Sequence, residues 1–255
     1  MMADVNHVSG LEVNVAPTRA VMGARAAAFV AGSLRDRLAR QDQVRMIFAA
    51  APSQYEMLVR LREEHGIDWR RVTAFHMDEY VGLPSNSPAA FGAWLTTHLF
   101  RHLPFDSVHL IDRFDDPAVA ADSYSRQLAE EPIDIVCLGI GVNGHLAFND
   151  PPANLEDTQD VRVVYLDDTC RQQQVDDDCF ATVADVPKRA ITLTVPRLLR
   201  ADKLVCVVPG TAKADAVARA LHGPVSSDCP ASALRRHPDC ALFIDVDAAS
   251  GFDLR

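Results

Sequence analysis

The chain lacks several things that would have pointed elsewhere. Its six cysteines, Cys137, Cys170, Cys179, Cys206, Cys229 and Cys240, include no C-x-x-C pair, so a zinc ribbon or a thioredoxin-type redox centre has no support. Cys137 and Cys206 lie inside apolar runs, where buried, reduced thiols are expected rather than disulfides. The first thirty residues carry no charged-then-apolar leader pattern, and no run approaches the ~18 apolar residues of a membrane span. Positive charge is in short supply, with 25 Lys and Arg against 35 Asp and Glu, a formal net charge of −10. That balance repels phosphate backbones and disfavours nucleic acid as a partner. An anionic small molecule would need a local cluster of positive groups. Internal repeats, low-complexity tracts and linkers are also missing. These absences together predict a soluble, cytoplasmic protein of one domain over residues 1–255, with no membrane partner.

What is present is an alternation of apolar runs and helical patterns. Residues 17–40 read as a helix, with Val21, Ala24, Ala28, Ala31 and Leu38 at near-helical spacing. Strands are expected at 44–51, 71–77, 107–111, 133–141, 161–166, 190–195, 203–208 and 241–246. Ser53 with Glu56 three residues on reads as a capping box opening a helix. Ser87-Pro88 and Asp116-Pro117 each read as a helix start with Pro at the first position. A helix over 211–222 ends at Gly223. Continuous apolar strands alternating with helices predict an α/β fold: a doubly wound, mostly parallel sheet covered on both faces. Ligands in such folds bind beyond the carboxyl ends of strands, so the residues that follow each strand matter most.

Three strand ends stand out. Asp78 and Glu79 follow the 71–77 strand. Adjacent acids there are either a solvated turn pair or a general base. After the 133–141 strand comes Gly139-Ile140-Gly141-Val142-Asn143-Gly144-His145. The G-x-G-x-x-G spacing suggests a dinucleotide site. That fingerprint must open a helix, however, and Asn149, Asp150, Pro151 and Pro152 arrive too soon. What remains is a glycine-rich turn whose backbone, Gly144 included, approaches a ligand closely and which presents Asn143, His145 and Asp150. The third strand end, Val208-Pro209-Gly210-Thr211-Ala212-Lys213, runs into a helix. Lys213 there is either a solvated first-turn residue or a phosphate partner. The segment Ala49-Ala50-Ala51-Pro52-Ser53 offers a similar helix start, with Ala50 and Ser53 as backbone and hydroxyl contacts.

The runs FHMDEYVGLP (75–84) and LGIGVNGHLAFNDPP (138–152), followed in order by VPKRAITLTV (186–195) and VVPGTAKADAV (207–217), resemble the glucosamine-6-phosphate deaminase/isomerase family. The resemblance covers roughly residues 10–250. It implies a Rossmann-like fold that binds no NAD. It also implies conversion of an amino-sugar 6-phosphate and water to a ketose 6-phosphate and ammonia. By motif match, Asp78 would move the proton between C2 and C1, His145 would serve ring opening, and Asn143 and Asp150 would tune that histidine. Lys213 would pair with the phosphate, with Glu79, Gly144, Ala50 and Ser53 around the substrate. No metal or organic cofactor is implied, because the substrate supplies its own electron sink. Self-association as a homo-oligomer is a further implication. The chain departs from the family at Ala49-Ala50-Ala51, where a Thr/Ser-Gly-rich loop is usual, and at Asp150, where Glu is usual. The family's phosphate-binding Arg has no clean match, and Arg171 is the nearest candidate. Two alternatives stay open. A 6-phosphogluconolactonase shares the fold, but such enzymes follow Gly-His with a different run from Leu146-Ala147-Phe148-Asn149-Asp150. A silent sugar-phosphate sensor would normally carry a DNA-binding helix-turn-helix, for which the first ~15 residues are too few.

Overall fold

The computed structural model describes residues 5–8, 10–84, 86–112 and 116–252. In chain order its strands and helices are β1 (Val5–Val8), β2 (Leu11–Ala16), α1 (Arg19–Leu38), β3 (Val44–Phe48), α2 (Tyr55–Leu61), β4 (Val72–His76), β5 (Asp78–Tyr80) and α3 (Phe91–His98). Then come β6 (Ser107–His109), α4 (Pro117–Ala129), β7 (Ile135–Leu138), β8 (Val161–Tyr165), α5 (Asp168–Asp176), β9 (Arg189–Leu193) and α6 (Val195–Leu199). Last are β10 (Lys203–Val208), α7 (Ala214–His222) and β11 (Cys240–Asp245). No helix among the described residues is long and apolar enough to cross a membrane.

Eight strands form one sheet in the order β1-β2-β11-β10-β7-β3-β4-β6, parallel throughout except for the β1–β2 pair. The uninterrupted apolar runs are explained by burial on both faces. Along β3, Met46 and Phe48 pack with α1 and α2 on one face, while Ile47 packs with Tyr124 and Leu128 of α4 on the other. Helix α1 approaches α2 so closely that a Cβ at Gly23 would lie 2.5 Å from that of Glu56. From β3 the chain steps outward to β4 and β6, then returns to lay β7 on the other side of β3. That reversal opens a crevice at the carboxyl ends of β3 and β7, where a ligand site is expected.

Several local expectations need correction. Not every strand joins the parallel sheet: β5, β9 and β8 form a separate antiparallel sheet, with Asp78 opposite Thr192. The expected 71–77 strand stops at His76, and the chain changes sheets at Met77. The capping box is not formed. Pro52–Gln54 make a 3₁₀ turn, α2 starts at Tyr55, and the Glu56 carboxylate bonds to Arg19 at 2.7 Å instead. Helix α3 begins at Phe91 rather than at Pro88, and no side chain at its own N-cap serves it. The Asp116-Pro117 start is as expected, with Asp116 accepting from the Ala118 amide at 2.9 Å. Residues Thr211–Lys213 form a 3₁₀ turn ahead of α7. Gly223 caps α7 at a φ of −70°, and the residue is glycine because a Cβ would meet the Arg219 carbonyl at 2.7 Å.

Candidate active site

The crevice is a cleft with about 520 Å³ of empty space including its open mouth. Ala49, Ala50, Ala51 and Ser53 after β3, Asp78 at the start of β5, Gly139, Gly141 and His145 after β7, and Lys213 after β10 all line it. The sequence placed Asp78, His145, Lys213, Ala50 and Ser53 at separate strand ends, and the fold brings them to one place.

Each side chain is held there by an identifiable cause. The imidazole of His145 lies flat over Gly141, where a Cβ would come within 2.1 Å of the ring. Gly139 is glycine for a similar reason, since a Cβ would sit 2.9 Å from Nε2 of Gln54, which donates to the Val207 carbonyl at 3.1 Å. Gly144 adopts a φ of +91°, and a Cβ there would lie 2.9 Å from Sγ of Cys229. It shapes the turn and does not itself line the cleft. The turn is closed by Asn143, whose Oδ1 accepts from the His145 amide at 3.0 Å while Nδ2 donates to Asp150 at 3.3 Å and Asp167 at 3.4 Å. Asp150 lies behind the histidine, with Oδ1 3.2 Å from Nδ1 of His145 and Oδ2 accepting from the Asp167 amide. Asn143 and Asp150 therefore support His145 from outside the cleft lining.

Asp78 and Asp150 sit in opposite electrostatic environments. Burial, and then the neighbouring Glu79 charge, push the Asp78 carboxyl well above the usual carboxylate range. Burial also works to raise Asp150, but the His145 imidazole, the Asp167 amide and Asn143 draw it below that range. Lys213 is 7 % exposed, and burial lowers its ammonium to about 8 despite the attraction of Asp177. It is the one Lys or Arg among the described residues that line the cleft.

Two predicted contacts lie elsewhere. Glu79 points away from the cleft, as alternation along β5 requires with Asp78 facing in. Its carboxylate accepts from the amides of Tyr80, Phe91 and Gly92 at 2.9–3.0 Å, which anchors the N-terminus of α3. Arg171 is turned toward the chain that follows α5, donating to the carbonyls of Val183 and Val186 and pairing with Asp168. It is not a lining residue.

Sequence patterning does not point to the remaining lining residues. Gln173, Gln174 and Asp177, from α5 and its C-cap, face the cleft. Gln173 accepts from the Val142 amide at 2.9 Å and Gln174 accepts from the Tyr80 hydroxyl at 2.7 Å. Phe91 and Phe148, stacked at 5.4 Å between centroids, form the apolar side. Ala147, also on the lining, has a φ of +48°, a strained conformation of the kind that concentrates at functional sites. Helix α5, with the sequence DTCRQQQVD, carries no apolar stripe, so periodicity could not have found it.

Comparison with known proteins agrees with this geometry. Residues 17–242 match the family described as glucosamine-6-phosphate isomerases/6-phosphogluconolactonase. A glucosamine-6-phosphate deaminase of Rhodopirellula baltica is 32% identical over 253 residues, covering 97% of this chain and 98% of that protein. One from Lactobacillus delbrueckii subsp. bulgaricus is 34% identical over 185 residues, 72% of this chain and 77% of its own length. Among solved structures, a monomeric glucosamine-6-phosphate deaminase superposes with a TM-score of 0.84 at 28% identity, covering 94% of this chain and 99% of that one. A 6-phosphogluconolactonase of Trypanosoma brucei superposes with a TM-score of 0.79 at 18% identity, over 94% and 98% of the two chains, and shows the shared fold alone. With 226 of its 255 residues inside the matched region (17 through 242), the chain belongs to the glucosamine-6-phosphate isomerase/6-phosphogluconolactonase family.

Proposed function

We propose that the chain is an amino-sugar phosphate deaminase/isomerase, converting glucosamine 6-phosphate or a close hexosamine 6-phosphate and water to a ketose 6-phosphate and ammonia. The observation that carries this is the convergence of Asp78, His145 and Lys213 on one cleft. The names of the relatives support the substrate class.

The phosphate lies against the Lys213 ammonium and the backbone of Ala50–Ser53. Its charge restores the proton that burial makes labile on Lys213. His145, held by Asn143 and backed by the Asp150 carboxylate, passes a proton to the ring oxygen as the sugar opens. Asp78 then removes the C2 proton, which the adjacent ammonium and the C1 aldehyde acidify. Its raised affinity for protons makes it a stronger base than an exposed carboxylate. The substrate ammonium beside it favours the ionised form. Delivery of the proton to C1 leaves an imine at C2, water adds, and ammonia departs.

Ammonia release across a panel of hexosamine 6-phosphates tests the reaction. Asp78→Asn is expected to lose exchange of the C2 proton with solvent deuterium by at least ~10²-fold while still binding sugar phosphate. Exchange at the normal rate removes Asp78 as the base. Hydrolysis of 6-phosphogluconolactone without ammonia release from any hexosamine phosphate replaces the reading with a lactonase.

A further inference from the structure

Behind the His145 imidazole lies a cluster that the proposed reaction uses only in part. A ring nitrogen of His145, a carboxylate oxygen of Asp150 and Sγ of Cys170 all lie within 4.8 Å of one another. Cys170 stands at the start of α5 and is fully buried, and His145 is 8 % exposed. The His145 Nδ1 faces Asp150 Oδ1 at 3.2 Å, and the same carboxylate meets the imidazole on one side and the Cys170 thiol on the other. An imidazole, a carboxylate and a thiol that converge in a buried place are a donor set of the kind that holds a transition-metal ion.

We propose that His145, Asp150 and Cys170 form a binding site for a single thiophilic divalent cation, Zn²⁺ in the first instance, and that its occupation switches the active site off. The donor set is one imidazole nitrogen, one carboxylate oxygen and one sulfur, which suits Zn²⁺ and disfavours Mg²⁺ or Ca²⁺. Bond lengths of about 2.0–2.3 Å in a tetrahedral site separate neighbouring ligand atoms by roughly 3.3–3.6 Å. The His145–Asp150 spacing of 3.2 Å is already close to that value, and the Cys170 sulfur lies within 4.8 Å of both residues' donor atoms. Charge closes as well: a dication against one carboxylate and one thiolate leaves a buried site with no net charge, which avoids the cost of an uncompensated buried ion. Binding displaces one proton, from the Cys170 thiol, to bulk water. The imidazole binds through its Nδ1 lone pair and loses no proton. The ring is then fixed by the metal rather than by Asp150, and it no longer delivers a proton to the sugar. That last consequence rests on the proposed role of His145, whereas the binding itself does not.

Co²⁺ titration of the whole chain reads the site without reference to turnover. One equivalent is expected to develop a thiolate-to-Co²⁺ charge-transfer band with tetrahedral d–d bands, which Zn²⁺ displaces and Mg²⁺ does not. Cys170→Ser is expected to lose the charge-transfer band, and Cys179→Ser to keep it. Asp150→Asn, which retains the shape of the side chain, is expected to weaken Zn²⁺ binding by at least the roughly 10–100-fold that loss of an outer-sphere partner costs. In the ammonia assay, stoichiometric Zn²⁺ is expected to stop the wild type, a chelator to restore it, and Cys170→Ser to turn over at the wild-type rate without sensitivity to Zn²⁺. A charge-transfer band that persists in Cys170→Ser, the absence of any band in the wild type, or equal Zn²⁺ inhibition of the two proteins would overturn the site. If hexosamine phosphates are not turned over at all, the Co²⁺ spectra still decide the binding, so the two failures are distinguishable.

Discussion

Lys213 holds its charge where burial resists it, and the consequence can be measured in two ways. Burial lowers its ammonium to about 8 in the folded chain, against an ordinary 10.5. Between those values the unfolded chain binds the extra proton, so stability rises with pH across that window. Below about 8 the penalty is fully present, on the order of 3 kcal/mol. Lys213→Met is therefore expected to raise the melting temperature at pH 7 while raising KM for the sugar phosphate by at least ~10-fold. In the wild type, kcat/KM should fall as pH rises through about 8, and the variant should lack that limb. A flat wild-type profile up to pH 9 would remove Lys213 from phosphate binding.

His76 makes the opposite kind of statement about acid. It is fully buried, its Nε2 accepts from the Ile111 amide at 2.8 Å, and burial lowers its pKa to about 3. From pH 6.5 downward the unfolded chain takes up a proton that the folded chain refuses. Stability should fall by up to ~1.4 kcal/mol per pH unit toward pH 3 from this group. Urea unfolding of wild type and His76→Asn at pH 7, 6 and 5 isolates it, since other groups cancel in the difference. A gap that does not change with pH would contradict the assignment. At this scale the sequence showed which residue types close the strands, because apolar runs ending in Asp78, His145 or Lys213 are conspicuous. It did not show direction. Period-two alternation alone could have warned that Asp78 and Glu79 cannot both face one cleft. Nothing local told that Arg171 turns toward Val183 and Val186.

At the scale of elements, α3 depends on a residue far from it in sequence. The helix has no capping side chain of its own, and the Glu79 carboxylate takes its first two free amides. A charged acceptor at a helix N-terminus is favoured by both hydrogen bonding and the helix dipole. Glu79→Ala leaves those buried amides without their acceptor and is expected to cost about 1–3 kcal/mol in chemical denaturation. It also removes the charge that helps raise Asp78, so the acid limb of the C2-exchange rate, along which the proposed base ionises, should move to lower pH. An unchanged unfolding midpoint would show that water replaces the carboxylate. Strands buried on both faces were legible because their composition leaves little alternative. Starts of helices were less so: Ser53 and Glu56 carry the letters of a capping box, yet Arg19 captures the Glu56 carboxylate. Tertiary partners decide between two hydrogen bonds of similar strength. Helix α5 offered no periodicity to read, although it supplies one wall of the site.

For the molecule as a whole, both apolar cores share the central strands of one sheet: alternate residues of β3, β7 and β10 belong to opposite cores. Neither core can melt without stripping a face from the other. Calorimetry is expected to show one unfolding transition with matching calorimetric and van't Hoff enthalpies, in keeping with the proposed single domain. Two resolved transitions would instead divide the chain. The parallel sheet was readable from composition and alternation. The second sheet was not, since nothing in 71–80 marks the point at which the chain changes sheets, and the pairing of β5 with β9 brings together residues more than a hundred positions apart.

That second sheet has a mechanical consequence. Asp78 rides on the smaller plate and His145 on the rim of the larger one. The two plates are riveted at Met77, whose carbonyl takes the Leu193 amide at 2.8 Å, and at Thr192, whose hydroxyl takes the Phe148 amide at 3.0 Å. The distance between the proposed base, Asp78, and the proposed ring-opening group, His145, is therefore set at the joint between plates, not within either of them. Under the proposed reaction, slack in that joint slows the chemistry long before it loosens the grip on the sugar.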